Sequence, residues 1–84
     1  MKKIFEVECD GEVFEDELRV YYIVLFGAYN NEHPEAHFGF EKSCGRAYET
    51  VEEAKEKAEG FCNAKIWEIA LCDDGMVAFA TEIK

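Results

Sequence analysis

Leu18-Arg19-Val20-Tyr21-Tyr22-Ile23-Val24-Leu25-Phe26-Gly27-Ala28-Tyr29 is the stretch that decides the fold. At a period of two, Leu18, Val20, Tyr22, Val24 and Phe26 fall on one side and Tyr21, Ile23 and Leu25 on the other. Both sides are apolar, and the segment is rich in β-branched and aromatic residues, which favours a strand over a helix. A strand apolar on both faces is central in its sheet or covered on both sides.

Working toward the N-terminus, Phe5, Val7 and Cys9 alternate with Glu6 and Glu8, the pattern of a strand with one wet face. Asp10-Gly11 is a tight-turn dipeptide, and Val13 and Phe14 continue the hairpin until Glu15-Asp16-Glu17 ends it as an acidic stop. Working toward the C-terminus, Asn30-Asn31-Glu32-His33-Pro34 reads as a loop, and residues 36–42 as a third strand with Phe38 and Phe40 on one face. Gly45 bends the chain before Tyr48.

Thr50-Val51-Glu52-Glu53 starts a helix as a capping box, with Glu53 reaching back to Thr50. Val51, Ala54, Ala58, Phe61 and Cys62 form its inward stripe, and Gly60 and Asn63 are its terminators. Residues 65–72 and 76–83 make a last hairpin around Asp73-Asp74-Gly75. A three-residue loop puts Leu71 opposite Val77, Ile69 opposite Phe79 and Trp67 opposite Thr81 on one apolar face. The other face carries Ala70, Ala78 and Ala80, small enough for a helix to approach closely.

The predicted fold is α+β, an antiparallel sheet of about five strands with one helix packed on one face, in the order β-β-β-α-β-β. Residues 1–84 form a single domain, since no linker-like segment, repeat or low-complexity tract interrupts them. Disorder is excluded by a hydrophobic content of 49% and an aromatic content of 14%.

Charge is the outlier of the composition. Nineteen Asp and Glu against nine Lys and Arg give a net charge of -10. Such a surface repels nucleic acid and anionic membranes and suits a basic protein surface. No apolar run approaches a membrane span and Glu6, Glu8 and Asp10 interrupt any leader, so a cytoplasmic protein is expected.

The four cysteines, Cys9, Cys44, Cys62 and Cys72, contain no Cys-x-x-Cys pair and are expected as small apolar core residues, with no disulfide and no zinc. His33 and His37 have metal-like spacing, with Cys44 as a third ligand in one alternative. On a strand the two histidines stand about 13 Å apart, too far for one ion. No Gly-rich phosphate loop and no local Cys-His signature is present, so no catalytic residue, cofactor or enzyme activity is expected. Glu68 and Glu82, on the alanine-rich face, are expected in rim ion pairs with lysines.

Two acidic tracts remain. Glu6, Glu8, Glu12, Glu15, Asp16 and Glu17 line the N-terminal hairpin, and Glu52, Glu53, Glu56 and Glu59 line the outer side of the helix. On a strand, carboxylates at i and i+2 lie about 6.5–7 Å apart, a regular row that imitates a phosphate backbone. In size and charge alone, with no shared motif, the chain resembles phage-encoded inhibitors of nucleic-acid-binding enzymes. The expected function is non-enzymatic binding to a basic groove on a larger protein, through those ten residues. A structural or self-associating module whose acidity serves solubility is the alternative, and a small metal-binding protein using His33, His37 and Cys44 is the second.

Overall fold

The computed structural model of the chain describes residues 2–26 and 33–83. Its strands are β1 (Lys2–Cys9), β2 (Glu12–Leu25), β3 (Lys65–Leu71) and β4 (Val77–Ile83), and its helices are α1 (Pro34–Ser43) and α2 (Val51–Ala58). The strands form one antiparallel sheet in the order β1-β2-β3-β4. An α+β fold with an antiparallel sheet is therefore present, with four strands and two helices among the described residues in place of about five and one.

The long apolar stretch is the middle of the molecule, as its composition requires. One side of β2 presents Leu18, Val20, Tyr22 and Val24, which pack with Ile66, Ala70 and Ala54 of α2. The other presents Ile23 and Leu25, which pack with Ile69, Leu71 and Phe38 of α1. One helix covers each face, correcting the expectation of a helix on one face only. Ala54, fully buried, is small enough to seat α2 closely on the sheet.

The second helix went unforeseen because residues 36–42 were read at the wrong period. Pro34 occupies the first turn of α1, where its missing N–H has no partner to lose. Glu35 in the first turn and Lys42 in the last complement the helix dipole. Pro34, Phe38 and Glu41 are buried at spacings of four and three, whereas Phe40, expected beside Phe38, is 63% exposed. The loop expected over Asn30 to Glu32 lies outside the described residues.

Glu15-Asp16-Glu17 does not stop a strand either. β2 runs straight through it, paired with Ile4, Phe5 and Glu6 of β1. β3 pairs only with Arg19 to Leu25, so the N-terminal half of β2 has β1 alone for company and both of its faces meet water, where charge is tolerated. Asp10 and Gly11 close this hairpin with φ of 53° and 81°, the left-handed pair of a type I′ turn.

The last hairpin has the expected three-residue loop. Cys72 N–H donates to the Met76 carbonyl, and Gly75 has a φ of 85°. Leu71 faces Val77, but a bulge at Ala78 then shifts the register, pairing Ala70 with Phe79, Ile69 with Ala80 and Trp67 with Glu82. Trp67, Ile69 and Leu71 share a face as expected. Phe79 crosses to the α2 side, where its ring stacks on Phe5 at 5.4 Å. The three alanines are thus divided: Ala70 is buried on the α2 side, Ala80 packs on the α1 side and Ala78 is exposed.

α2 is capped as its sequence demands, with Glu53 N–H donating to Thr50 Oγ1 at 3.2 Å and the Thr50 hydroxyl 3.3 Å from the Glu53 carboxylate. It ends at Ala58, so Phe61 and Cys62 are exposed beyond it and not part of an inward stripe. All four cysteines are exposed, because each sits at a turn or a strand or helix end, which corrects their assignment to the core. Four thiols should therefore react with a thiol reagent in the native protein as fast as in denaturant; slow or missing equivalents that appear only on unfolding would show the opposite. Among the described residues, no helix is long and apolar enough to cross a membrane.

Candidate functional site

The register of the β1–β2 hairpin sorts its carboxylates. Directly paired residues share a face. Glu6 stands opposite Glu15, Glu8 opposite Val13 and Ile4 opposite Glu17, all on the α1 side of the sheet. Asp16, opposite Phe5, and Glu12, opposite Cys9, point to the α2 side with Val7 and Phe14. Beyond Phe5 the hairpin has no third strand, and it forms an arm on a molecule with extents of 42 × 24 × 24 Å.

From Ile4 to Leu18 the arm carries seven acidic residues and no basic one. Its six residue pairs span about 17 Å, which gives about one charge per 2.5 Å, against about 1.7 Å for duplex DNA. Like charges directly opposite on a sheet repel, and Glu6 and Glu15 are placed so. Ion pairing on the arm consists, among the described residues, of Lys2 to Glu17 at 3.8 Å, with both side chains well exposed. The turn of Asp73 and Asp74 adds two acids at the same end, because Leu71 pairs with Arg19 at the root of the arm.

Glu52, Glu53, Glu56 and Glu59 are exposed on α2, which packs on the opposite face of the sheet from Glu6, Glu8, Glu15 and Glu17. The two tracts therefore do not merge through that face. Those on the helix also have local partners. Glu53 caps the N-terminus, Glu52 lies in the first turn where the dipole favours an anion, and Lys55 and Lys57 intersperse the rest. Glu53 is held at Thr50, and the ion pair it was suited to make with Lys57 is not formed among the described residues.

The three residues of the metal-binding alternative, His33, His37 and Cys44, lie along α1 and at its two ends. His33 is the N-cap of α1 and Cys44 its C-cap. At about 1.5 Å of rise per residue, some 10 Å of helix separates His37 from Cys44. Among the described residues no group of three or more His, Cys, Asp or Glu is placed to share an ion.

Glu68 and Glu82 both form ion pairs with lysines, but Glu68 does so from a buried position and not from the rim expected for it. Glu82 meets Lys65 at 3.5 Å, though on the α1 side, because of the bulge. Glu68 is buried at 6% exposure, accepting from Lys3 Nζ at 3.0 Å and from the Tyr22 hydroxyl at 3.1 Å. The Tyr22 phenol is consequently pushed up to about 12, first by its burial, then by the hydrogen bond to Glu68 and the charges of Glu68 and Glu52. Raising an acid's folded pKa favours its neutral form, so this contribution to stability is full below pH 10 and is lost as pH rises from 10 to about 12. In a spectroscopic titration of tyrosinate, one of the four tyrosines should ionise last, with unfolding, and Tyr22→Phe should remove that step. Four tyrosines ionising together near their ordinary value would contradict this geometry.

A second feature was invisible in the sequence. β1 leaves β2 at Arg19, so the C-terminal half of β2 has a free edge on that side. Tyr48 bridges it at Tyr22, with backbone N–H to carbonyl bonds of 2.7 and 2.8 Å. A cleft of about 650 Å³ opens beside that bridge, between α1 and the end of α2. Phe26 and Phe61, each about half exposed, stack at 4.6 Å with planes within 6° on one wall. Phe40 also lines the cleft, with the Arg46 guanidinium 5.7 Å from its ring. Arg46 Nε and Nη2 both meet Glu41 Oε2, at 2.8 and 2.7 Å, and that carboxylate raises the guanidinium pKa further, so it stays charged. His37 and Lys57 complete the polar lining. No advance signal marks it: the spacing of the sequence places Phe26, Phe40 and Phe61 on apolar faces, and the structure leaves all three about half or more exposed.

No family model, curated protein or solved structure matches the chain.

Proposed function

We propose that the chain is a non-enzymatic binding protein whose acidic arm enters a basic groove on a larger protein, in the place a nucleic acid would take. The observation that supports this is the cluster of four carboxylates on one face of the arm, with Glu6 directly opposite Glu15 and with Glu8 and Glu17 flanking that pair on the same face. The repulsion between them offsets part of the hairpin's stability and has no local structural return, unlike the capping acids of α2. Glu12, Asp16 and Asp10 extend the charge around the tip, so the arm presents negative potential in most directions. Ile4 and Val13, 62% and 63% exposed on the same face, supply apolar contact at either end of the Glu6–Glu15 pair. The helix acids Glu52, Glu53, Glu56 and Glu59 act at most as a second, separate contact. The partner is accordingly a basic, nucleic-acid-binding protein, and the chain acts on it as a stoichiometric inhibitor in the cytoplasm.

Affinity capture with the native chain and with its Glu6→Gln/Glu8→Gln/Glu15→Gln/Glu17→Gln variant tests this. A specific partner is expected on the native chain only, and added duplex DNA or RNA should release it. Partners retained equally by both forms, or insensitive to nucleic acid, would mean that the arm is an ordinary solvated surface.

A further inference from the structure

We propose that the cleft beside the free edge of β2 binds a small hydrophobic carboxylate, independently of the acidic arm. Its volume of about 650 Å³ falls within the range of roughly 300–1,000 Å³ typical of small-molecule sites. The wall residues are large aromatics held in contact with solvent, at 47% for Phe26, 63% for Phe40 and 50% for Phe61. Stacked Phe26 and Phe61 form a flat apolar platform that suits a planar or extended hydrocarbon body.

Charge complementarity selects an anion. In a chain of net charge -10, the cleft gathers two of the nine Lys and Arg, Arg46 and Lys57, against the single carboxylate of Glu41. Glu41 Oε2 is bonded by Arg46 Nε and Nη2, two of the guanidinium's three nitrogens. Lys57 has an acidic residue four positions earlier, yet Glu53 is spent on Thr50 and Lys57 makes no ion pair among the described residues. Arg19, Lys42 and Lys55 also lack an ion-pair partner among the described residues, but of these four cations Lys57 is the one that lines the aromatic cleft, where it can meet a bound anion. The local excess of about one positive charge matches a monoanion, and a nucleic acid would be repelled by the rest of the surface. The carboxylate thus meets Lys57 and Arg46, and its apolar body meets Phe26, Phe61 and Phe40.

Calorimetry and amide chemical-shift mapping of the native protein with 2-naphthoate, and with its neutral isostere 2-naphthamide, test the proposal. 2-Naphthoate should bind about 10-fold more tightly than the amide, as a charge-assisted contact in a partly dry site requires. Shifts should concentrate at Phe26, Phe40, Arg46, Lys57 and Phe61. Lys57→Gln, an exposed change that leaves the core intact, should weaken 2-naphthoate by about 5- to 10-fold while leaving 2-naphthamide unchanged. Phe40→Ala should weaken both. Equal affinity for acid and amide, an unaltered Lys57→Gln variant, shifts centred elsewhere, or no saturable binding by about 1 mM would each overturn it.

Discussion

Replacing Ile23 with alanine should remove about 3–4 kcal/mol of stability, the cost of deleting a fully buried branched side chain and leaving a cavity. Ile23 has no exposed surface and sits on the central strand among Leu25, Ile69, Leu71 and Phe38. A chain of 84 residues holds roughly 4–12 kcal/mol in total, so this one change takes about a quarter or more of it. The midpoint of thermal unfolding should fall by roughly 15–25 °C. Ile4 is the matched control. It is the same residue type on a strand of the same sheet but is 62% exposed, and Ile4→Ala should shift stability by no more than about 0.5 kcal/mol. Urea unfolding of the two variants decides between a core centred on β2 and one that extends along the arm. Comparable losses would show that the arm is packed against something, a second copy of the chain included.

What was legible in advance follows the strength of the local signal. The two-faced apolar run of residues 18–25 identifies the central strand, but the cover on its second face was not foreseen, because the helix that supplies it, α1, reads as a strand in the sequence. Thr50 with Glu53, Asp10-Gly11 and Gly75 each announced its cap or turn, because positive φ and a capping hydroxyl are demanded by the backbone itself. Residues 34–43 were misread because Pro34 both ends a loop and starts a helix, and Phe38 with Phe40 imitates a strand over a span too short for the periodicities to separate. The bulge at Ala78 left no mark on the sequence. Its effect is nonetheless local and physical: it turns Phe79 to stack on Phe5 and sends Glu82 to Lys65. The ten acidic residues were legible as a composition but not as a surface. Only the register of β1 on β2 separates Glu6, Glu8, Glu15 and Glu17 from the face that carries Glu12, Asp16 and α2. The cleft depends on where β1 stops pairing with β2, a tertiary fact with no local signature.

Neutralising the α1 side of the arm should separate stability from binding. In the variant carrying glutamine at positions 6, 8, 15 and 17, the pair formed by Glu6 and Glu15 loses its repulsion, so at low salt the fold should be unchanged or up to about 1 kcal/mol more stable. Glutamine keeps the length and the hydrogen-bonding reach of each side chain, and none of the four is buried. Affinity for a basic partner should move the other way. Each solvent-exposed charge pair is worth about 0.2–1 kcal/mol, so four of them correspond to a loss of roughly 4- to 1,000-fold, concentrated in the association rate at low salt. The dependence of affinity on ionic strength should flatten, because the screening that shortens to about 8 Å near physiological salt then has fewer charges to act on. The matching variant with glutamine at positions 52, 56 and 59 removes three charges from the opposite face of the sheet and should bind as the native chain does. If the helix variant loses affinity and the arm variant does not, α2 carries the contact. If neither loses it, the negative charge of both faces serves solubility alone. A charged cluster kept only for solubility would be expected to avoid facing carboxylates, since spreading the same charges over the surface gives the same net charge without the repulsion. Lower affinity together with equal or higher stability in the arm variant is the combination that assigns those carboxylates to a partner.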